Sequence, residues 1–170
     1  MAGGESPPPD FAMLRAAELL AQMHRAQRRK KPQIETFDVP AVLKSSRLSF
    51  EVNVTKRPQV EREIGVAFAY PARGWHTYAT RENGVRCFLS AFYKQTTLIA
   101  VELYVPEAKP APNLLPVEFG GFELEPRGIR IGMDASHILE ARFPGGAAYV
   151  KARGASIDRI AVYSAGAAQD

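Results

Sequence analysis

The residues that could carry out acid–base, nucleophilic or metal chemistry are few and scattered in this chain of 170 residues. Asp134, Ser136 and His137 supply the three residue types of a hydrolase triad within one short stretch. Neighbouring side chains of an extended chain point to opposite faces, so these three cannot easily converge as a triad does. We therefore interpret the stretch as a turn in which Asp134 and Ser136 bond to the backbone. The sequence predicts no catalytic residue.

The histidines and the cysteine do not have the spacing of a metal site. His24, His76 and His137 lie in three separate segments, and Cys87 is the only cysteine, which excludes a disulfide within the chain. A zinc site needs about four nitrogen, sulfur or oxygen ligands. Every second residue around Cys87 is apolar, which predicts a buried thiol on a strand. We expect neither a metal nor another cofactor.

Trp75 and His76 mark a candidate ligand pocket. They follow Pro71-Ala72-Arg73-Gly74, at the point where a loop is expected to become a strand. An aromatic side chain at the entrance of a strand can line a pocket for a small ligand. Such a residue more often plugs the end of a hydrophobic core, and we favour that interpretation over a pocket.

A run of cations, HRAQRRKKP, occupies residues 24–32 and contains no acid. Cations at the end of a helix interact favourably with its free carbonyl groups, so the run fits a basic helix terminus. It also fits a phosphate-binding arm of a nucleic-acid-binding protein, although the net charge of +4 is mild for that class. The cations proposed to contact a partner or nucleic acid here are Arg25, Arg28, Arg29, Lys30 and Lys31.

The first 46 residues are expected to precede the main domain. Residues 1–9 are rich in glycine and proline, which predicts a disordered tail. Asp10 is suited to cap an amphipathic helix with a basic end over residues 10–31, and residues 32–46 are interpreted as a linker that starts at a helix-breaking proline. The apolar stripe of this helix consists of Met13, Ala16, Leu20 and Met23.

From about residue 47 the apolar residues recur at every second position, which is the period of a β-strand. Asn83-Gly84 predicts a tight hairpin turn, and the segment 96–106, apolar on both sides, predicts a central strand. Short glycine-containing links later in the chain favour antiparallel neighbours. Residues 47–164 are therefore expected to form an all-β, antiparallel sandwich or jelly-roll-like domain, followed by a flexible tail at 165–170.

Two connections are expected to interrupt these strands. Glu61, Arg62 and Glu63 indicate a polar loop, and the alternating residues from Ile64 to Tyr70 indicate a strand after it. The proline-rich segment 106–116 is expected to cross from one sheet or edge to another.

The last strands offer a second candidate surface for nucleic acid. The alternation places Tyr149, Lys151 and Arg153 on the outward face. Cations interleaved with aromatic rings are typical of surfaces that bind single-stranded nucleic acid. A solvated face with cross-strand ion pairs explains the same pattern, and we favour that interpretation.

Three functions remain open. We favour a non-catalytic interaction or assembly module whose N-terminal helix docks another protein or a second copy of the chain in a homo-oligomer. The alternatives are a protein that binds RNA or single-stranded DNA, and an enzyme or small-ligand binder with its pocket near Trp75. The sequence has neither a secretory signal pattern nor an apolar run of membrane-spanning length, so a cytoplasmic protein without a membrane span is expected.

Overall fold

A computed structural model describes residues 34–64, 75–106 and 120–168, which fold into two β-sheets and one short helix. The all-β class is confirmed. The tail expected at 1–9, the helix expected at 10–31 and its five candidate cations lie outside the described residues. The strands are β1 (Ile34–Thr36), β2 (Val42–Lys44), β3 (Ser49–Phe50), β4 (Trp75–Glu82), β5 (Val85–Lys94), β6 (Thr97–Tyr104), β7 (Glu123–Glu125), β8 (Leu139–Phe143), β9 (Gly146–Arg153) and β10 (Ser156–Ser164).

The larger sheet has seven strands in the order β1-β8-β9-β10-β6-β5-β4. Its neighbours are antiparallel except for β1, which pairs in parallel with β8 and places Ile34 opposite Glu140. The prediction of an entirely antiparallel domain is therefore wrong at this edge. A parallel pair requires a long connection, and most of the chain separates β1 from β8.

The hairpin and the central strand were predicted correctly. Asn83 and Gly84 form the two-residue turn between β4 and β5, with positive φ angles of 53° and 78°. β6 lies between β10 and β5, and both of its faces are buried, which explains why its sequence is apolar on both sides. The short links at Pro144–Gly145 and Gly154–Ala155 join antiparallel strands as expected.

The smaller sheet shares a buried hydrophobic cluster with one face of the larger one. Its order is β3-β2-β7, and Leu43, Phe50 and Leu124 from its three strands belong to the same buried cluster as Leu89 and Leu103 of the large sheet. We call this side of the large sheet the core face. Residues 32–46, interpreted from the sequence as a linker, contain β1 and β2 from residue 34 onward.

The polar stretch around Glu61 is a helix, α1 (Arg57–Ile64), and its prediction as a loop is wrong. Contacts with distant residues hold α1 in place: the Arg57 backbone N–H donates to the Thr96 carbonyl at 2.8 Å, and Lys56 Nζ donates to Thr97 Oγ1 at 2.7 Å. Val60 is the only residue of α1 that is fully buried. Ile64, expected to begin a strand, ends this helix, and the rest of that segment lies outside the described residues.

Two short 3₁₀ helices complete the described chain. Ala135–His137 follows Asp134, whose Oδ1 accepts a hydrogen bond from the Ser136 backbone N–H at 2.8 Å. This is the turn expected from the sequence, with the Asp134 side chain bonded to the backbone two residues further on. The second, Ala165–Ala168, lies in the segment expected to be a flexible tail.

Candidate functional site

The two residues of the candidate pocket, Trp75 and His76, point to opposite faces of β4. The Trp75 ring stacks on Phe92 with the ring centroids 5.2 Å apart, away from the core face. The His76 ring contacts Tyr93 edge-on, with the centroids 5.3 Å apart, and Tyr93 belongs to the core cluster. Adjacent residues on a strand alternate between faces, so the structure does not bring Trp75 and His76 into one pocket.

His76 instead joins a set of polar side chains at one end of the core face. In the β4–β5 hairpin His76 pairs with Ala91, which makes Tyr93 its diagonal neighbour, and Tyr78 lies two residues further along β4. The anchored helix α1 adds Arg57 and Glu61, whose Nε and Oε2 atoms are 3.9 Å apart. We call these five residues, Arg57, Glu61, His76, Tyr78 and Tyr93, the α1–β4 cluster.

Two hydrogen-bonding atoms of the α1–β4 cluster are buried and form no hydrogen bond among the described residues. They are the hydroxyl of Tyr93 and Nε of Arg57. Tyr93 is only 5% exposed. A buried polar atom without a hydrogen bond destabilises a fold by roughly 1–3 kcal/mol. Such atoms are uncommon in folded proteins, and each one calls for an explanation such as a water molecule, an ion or a ligand. Two of them in one cluster make this end of the core face the candidate site.

The electrostatic environment fixes the protonation of this cluster at neutral pH. Burial raises the pKa of Tyr78 to about 12 and raises the pKa of Tyr93 as well, so both hydroxyls keep their protons. Burial, followed by the charge of Arg57, lowers the pKa of His76 below the ordinary value of a histidine, whereas Glu61 raises it. His76 is therefore a neutral imidazole at neutral pH.

The arrangement offers more hydrogen-bond donors than acceptors. The tyrosine hydroxyls and the Arg57 guanidinium can all donate, and the neutral imidazole of His76 has one donor and one acceptor nitrogen. Two fully buried apolar residues adjoin the cluster: Val60 precedes Glu61 on α1, and Ala91 pairs with His76 across the hairpin. Among the described residues, no group of three or more His, Cys, Asp or Glu is placed to hold a metal ion.

Cys87 and Glu82 are buried on the same face but have structural surroundings. Burial raises the pKa of the Cys87 thiol to about 12, so it is not a thiolate at neutral pH. Its prediction as a buried cysteine is confirmed. Glu82, only 2% exposed, accepts a hydrogen bond from the Phe122 backbone N–H at 2.8 Å, and burial raises its pKa. Glu82 thus fixes the chain where it re-enters the described fold before β7.

The residues proposed for nucleic-acid binding on β9 differ in accessibility. Lys151 and Arg153 are both exposed, and Arg153 Nε lies 3.4 Å from Asp158 Oδ2. Tyr149 is 3% exposed, and burial raises its pKa to about 12. A base cannot stack on a buried ring, so Tyr149 does not offer a binding surface in this structure.

Sequence reasoning identified His76 but missed the other four members of the α1–β4 cluster. The hairpin turn at Asn83-Gly84 was recognised, and counting back from it would have placed Tyr93 diagonally from His76 and Tyr78 on the same face. Arg57 and Glu61 had no such signal, because their helix is held by contacts distant in sequence.

Comparison with known proteins gives no relative from which a function could be carried over. No family model matches this chain, and no curated protein or solved structure matches it. Within the described residues, no helix has both the length and the apolar character needed to span a membrane.

Proposed function

We propose that this protein binds a small organic acid in the α1–β4 cluster. The observation that carries the proposal is a pair of buried atoms that form no hydrogen bond among the described residues, the Tyr93 hydroxyl and Arg57 Nε. The bound carboxylate accepts a hydrogen bond from each of them. Each of these charge-assisted bonds contributes more than a bond between neutral groups.

The charges of the cluster favour a carboxylate over other ligands. Arg57 and Glu61 are opposite in sign, and the tyrosines and His76 are neutral at neutral pH. One added negative charge meets the two donors, the Tyr93 hydroxyl and Arg57 Nε, whereas a phosphate would bring two charges against a single cation and the nearby Glu61. The fully buried Val60, beside Glu61 in the helix, and Ala91, opposite His76, favour a hydrocarbon or aromatic body attached to the acid group.

A panel of simple probes tests both the site and the ligand class. We would follow the amide resonances of the ¹⁵N-labelled protein during titration with benzoate, acetate, benzamide and benzylamine. We expect saturable shifts in α1 and the first half of β4 with benzoate, weaker binding of acetate, and none with benzylamine. Benzamide binding as tightly as benzoate would show that the carboxylate charge is not recognised. The absence of saturable shifts with all four probes would refute the proposed function.

Arg57→Gln provides the charge control for this titration. The variant removes the positive charge but keeps a polar side chain at the same position of α1. We expect benzoate affinity to fall about tenfold or more, the equivalent of one hydrogen bond to a charged group. Arg62→Gln, at an exposed position of the same helix, should leave the affinity unchanged.

The interaction or assembly function expected from the sequence stays a prediction, as does nucleic-acid binding. Both depend mainly on residues 10–31, which lie outside the described part of the chain. The two-layer sandwich expected from the sequence is likewise a proposal, supported by the shared buried cluster of the two sheets. It would place the α1–β4 cluster at the rim of the core.

A further inference from the structure

The face of the large sheet opposite the core face is buried. We call it the second face and define it by Trp75, Phe92, Tyr149, Ala161 and Tyr163, which form one hydrophobic cluster. Their exposed fractions range from 0% to 7%. Among the described residues, however, this cluster consists only of side chains from the large sheet itself. A single layer of side chains does not bury its own outer surface, so the burial of the second face requires a cover.

A polar network in the middle of the second face also requires a cover. Glu102 is 0% exposed; its carboxylate accepts hydrogen bonds from Arg159 Nη1 at 3.0 Å and from the Tyr163 hydroxyl at 2.5 Å. The Arg159 guanidinium lies 4.8 Å from the centroid of the Tyr104 ring. A buried carboxylate is tolerated where a cation and hydrogen bonds compensate it, as they do here. The network is thus built for an interior position.

The described chain begins at an edge of this same sheet. Ile34, the first described residue, pairs with Glu140 on β8, and Glu140 pairs with Tyr149 on β9. Directly paired residues share a face, so Glu140 lies on the second face, where it is only 3% exposed. The residues before Ile34 therefore enter at the margin of the second face, next to a buried carboxylate.

The segment 10–31 has the length, polarity and charge to cover this face. A helix of residues 11–29 would be about 28 Å long, and the five strands from β9 to β4 span about 20 Å. Its apolar stripe suits the aromatic cluster. Its cations at 28–31 stand only a few residues before Ile34, which brings them within reach of Glu140.

We propose that residues 10–31 form a helix that packs on the second face of its own chain, with Leu20 and its apolar neighbours against the Trp75–Tyr163 cluster and its basic end beside Glu140. The helix is then part of the fold. The cations of the basic run then interact with the large sheet, and Tyr149 is buried between that sheet and the helix.

The only tryptophan of the chain reports on this packing. Leu20→Asp in the full-length protein places a charge in the apolar stripe, so we expect Trp75 emission to shift to the red and its quenching by acrylamide to increase. Arg15→Asp, on the polar side of the same predicted helix, is the matched control and should leave both unchanged. Unaltered Trp75 fluorescence in Leu20→Asp would overturn the proposal.

A spin label shows whether the helix belongs to the same chain. We would attach a nitroxide at Gln22→Cys, on the polar side of the helix; the buried Cys87, with its thiol pKa of about 12, should not react. In ¹⁵N-labelled, spin-labelled protein we expect broadening of amides in β6, β9 and β10. A mixture of spin-labelled unenriched chains with ¹⁵N chains lacking the label should show none.

Two results would overturn the proposal. Broadening in the mixed sample would mean that a second copy supplies the cover, and no broadening in either sample would mean that residues 10–31 do not cover the second face. A nitroxide at Arg62→Cys on α1 checks the method, because it should broaden the nearby amides of β4 and β5 in the first sample.

Discussion

At the residue scale, Tyr93 and His76 show how much and how little one sequence reveals. The sequence singled out His76 beside Trp75, and strand alternation already implied that the two could not share a pocket. The feature that supports a site is the Tyr93 hydroxyl, buried without a partner among the described residues. Tyrosine is common in hydrophobic cores. The sequence therefore does not distinguish a tyrosine hydroxyl that forms a hydrogen bond in the fold from one that does not.

Removing the Tyr93 hydroxyl should stabilise the unliganded protein. Tyr93→Phe keeps the ring and removes a buried polar group that has no described partner, so we expect the free energy of unfolding to rise by about 1 kcal/mol. Urea denaturation of the wild type and the variant measures this difference. Tyr104→Phe, on the opposite face and partly exposed, should change the stability little. A clear loss of stability in Tyr93→Phe would mean that the hydroxyl is bonded within the fold.

The lowered pKa of His76 should make the protein less stable in acid. Below pH 6.5 His76 binds a proton in the unfolded chain, whereas in the folded chain it stays neutral. The free energy of unfolding therefore falls with pH until the pH reaches the pKa of His76 in the folded protein. Replacing His76 with Gln should flatten the unfolding free energy in this window. His137→Gln, at an exposed position, is the control. An unchanged slope in His76→Gln would contradict the assigned environment of the imidazole.

At the element scale, local signals predicted the hairpins and missed what distant contacts create. The Asn83-Gly84 turn and the apolar β6 follow from a few adjacent residues. Helix α1 has a weakly apolar sequence that includes Pro58, and hydrogen bonds to Thr96 and Thr97 hold it in place. Short helices depend on tertiary packing more than on intrinsic helix propensity. The sequence of this segment alone therefore predicted a loop.

The β8–β9 turn should depend on a glycine that has little space around it. A Cβ on Gly146 would lie 2.7 Å from Cζ of Phe143 and closer still to the Tyr163 carbonyl oxygen. Because that oxygen belongs to the backbone of β10, Gly146→Ala should reduce the unfolding free energy by about 2–3 kcal/mol. In Gly166→Ala the new Cβ has only an ordinary contact, with Ser164 Oγ at 3.7 Å, so urea denaturation should show almost no change.

At the scale of the whole molecule, the sequence predicted an all-β chain but not how its layers are arranged. The parallel pairing of β1 with β8 joins residues from distant parts of the chain, and no local pattern encodes it. The second face was interpreted as solvated or nucleic-acid-binding because Tyr149, Lys151 and Arg153 alternate outward. A strand that is buried on both faces can still carry alternating polar residues near its end. The sequence therefore does not distinguish a buried second face from a solvated or nucleic-acid-binding one.

The two interpretations of the second face predict different masses in solution. If residues 10–31 cover their own sheet, the full-length protein should elute with the mass of one chain at low and high salt, without absorbance from bound nucleic acid at 260 nm. Size-exclusion chromatography with light scattering and dual absorbance measures this. A salt-independent multiple of the chain mass would favour the assembly function expected from the sequence, and salt-sensitive 260 nm absorbance would favour nucleic-acid binding.

The proposed acid site is tested most directly by benzoate affinity in the wild type, Tyr93→Phe and Tyr104→Phe, measured by calorimetric titration. We expect saturable binding to the wild type and to Tyr104→Phe. In Tyr93→Phe the affinity should fall about tenfold, the equivalent of one hydrogen bond to the carboxylate, while the fold is at least as stable. Equal affinity in all three proteins, or no saturable binding to the wild type, would contradict a ligand site in the α1–β4 cluster.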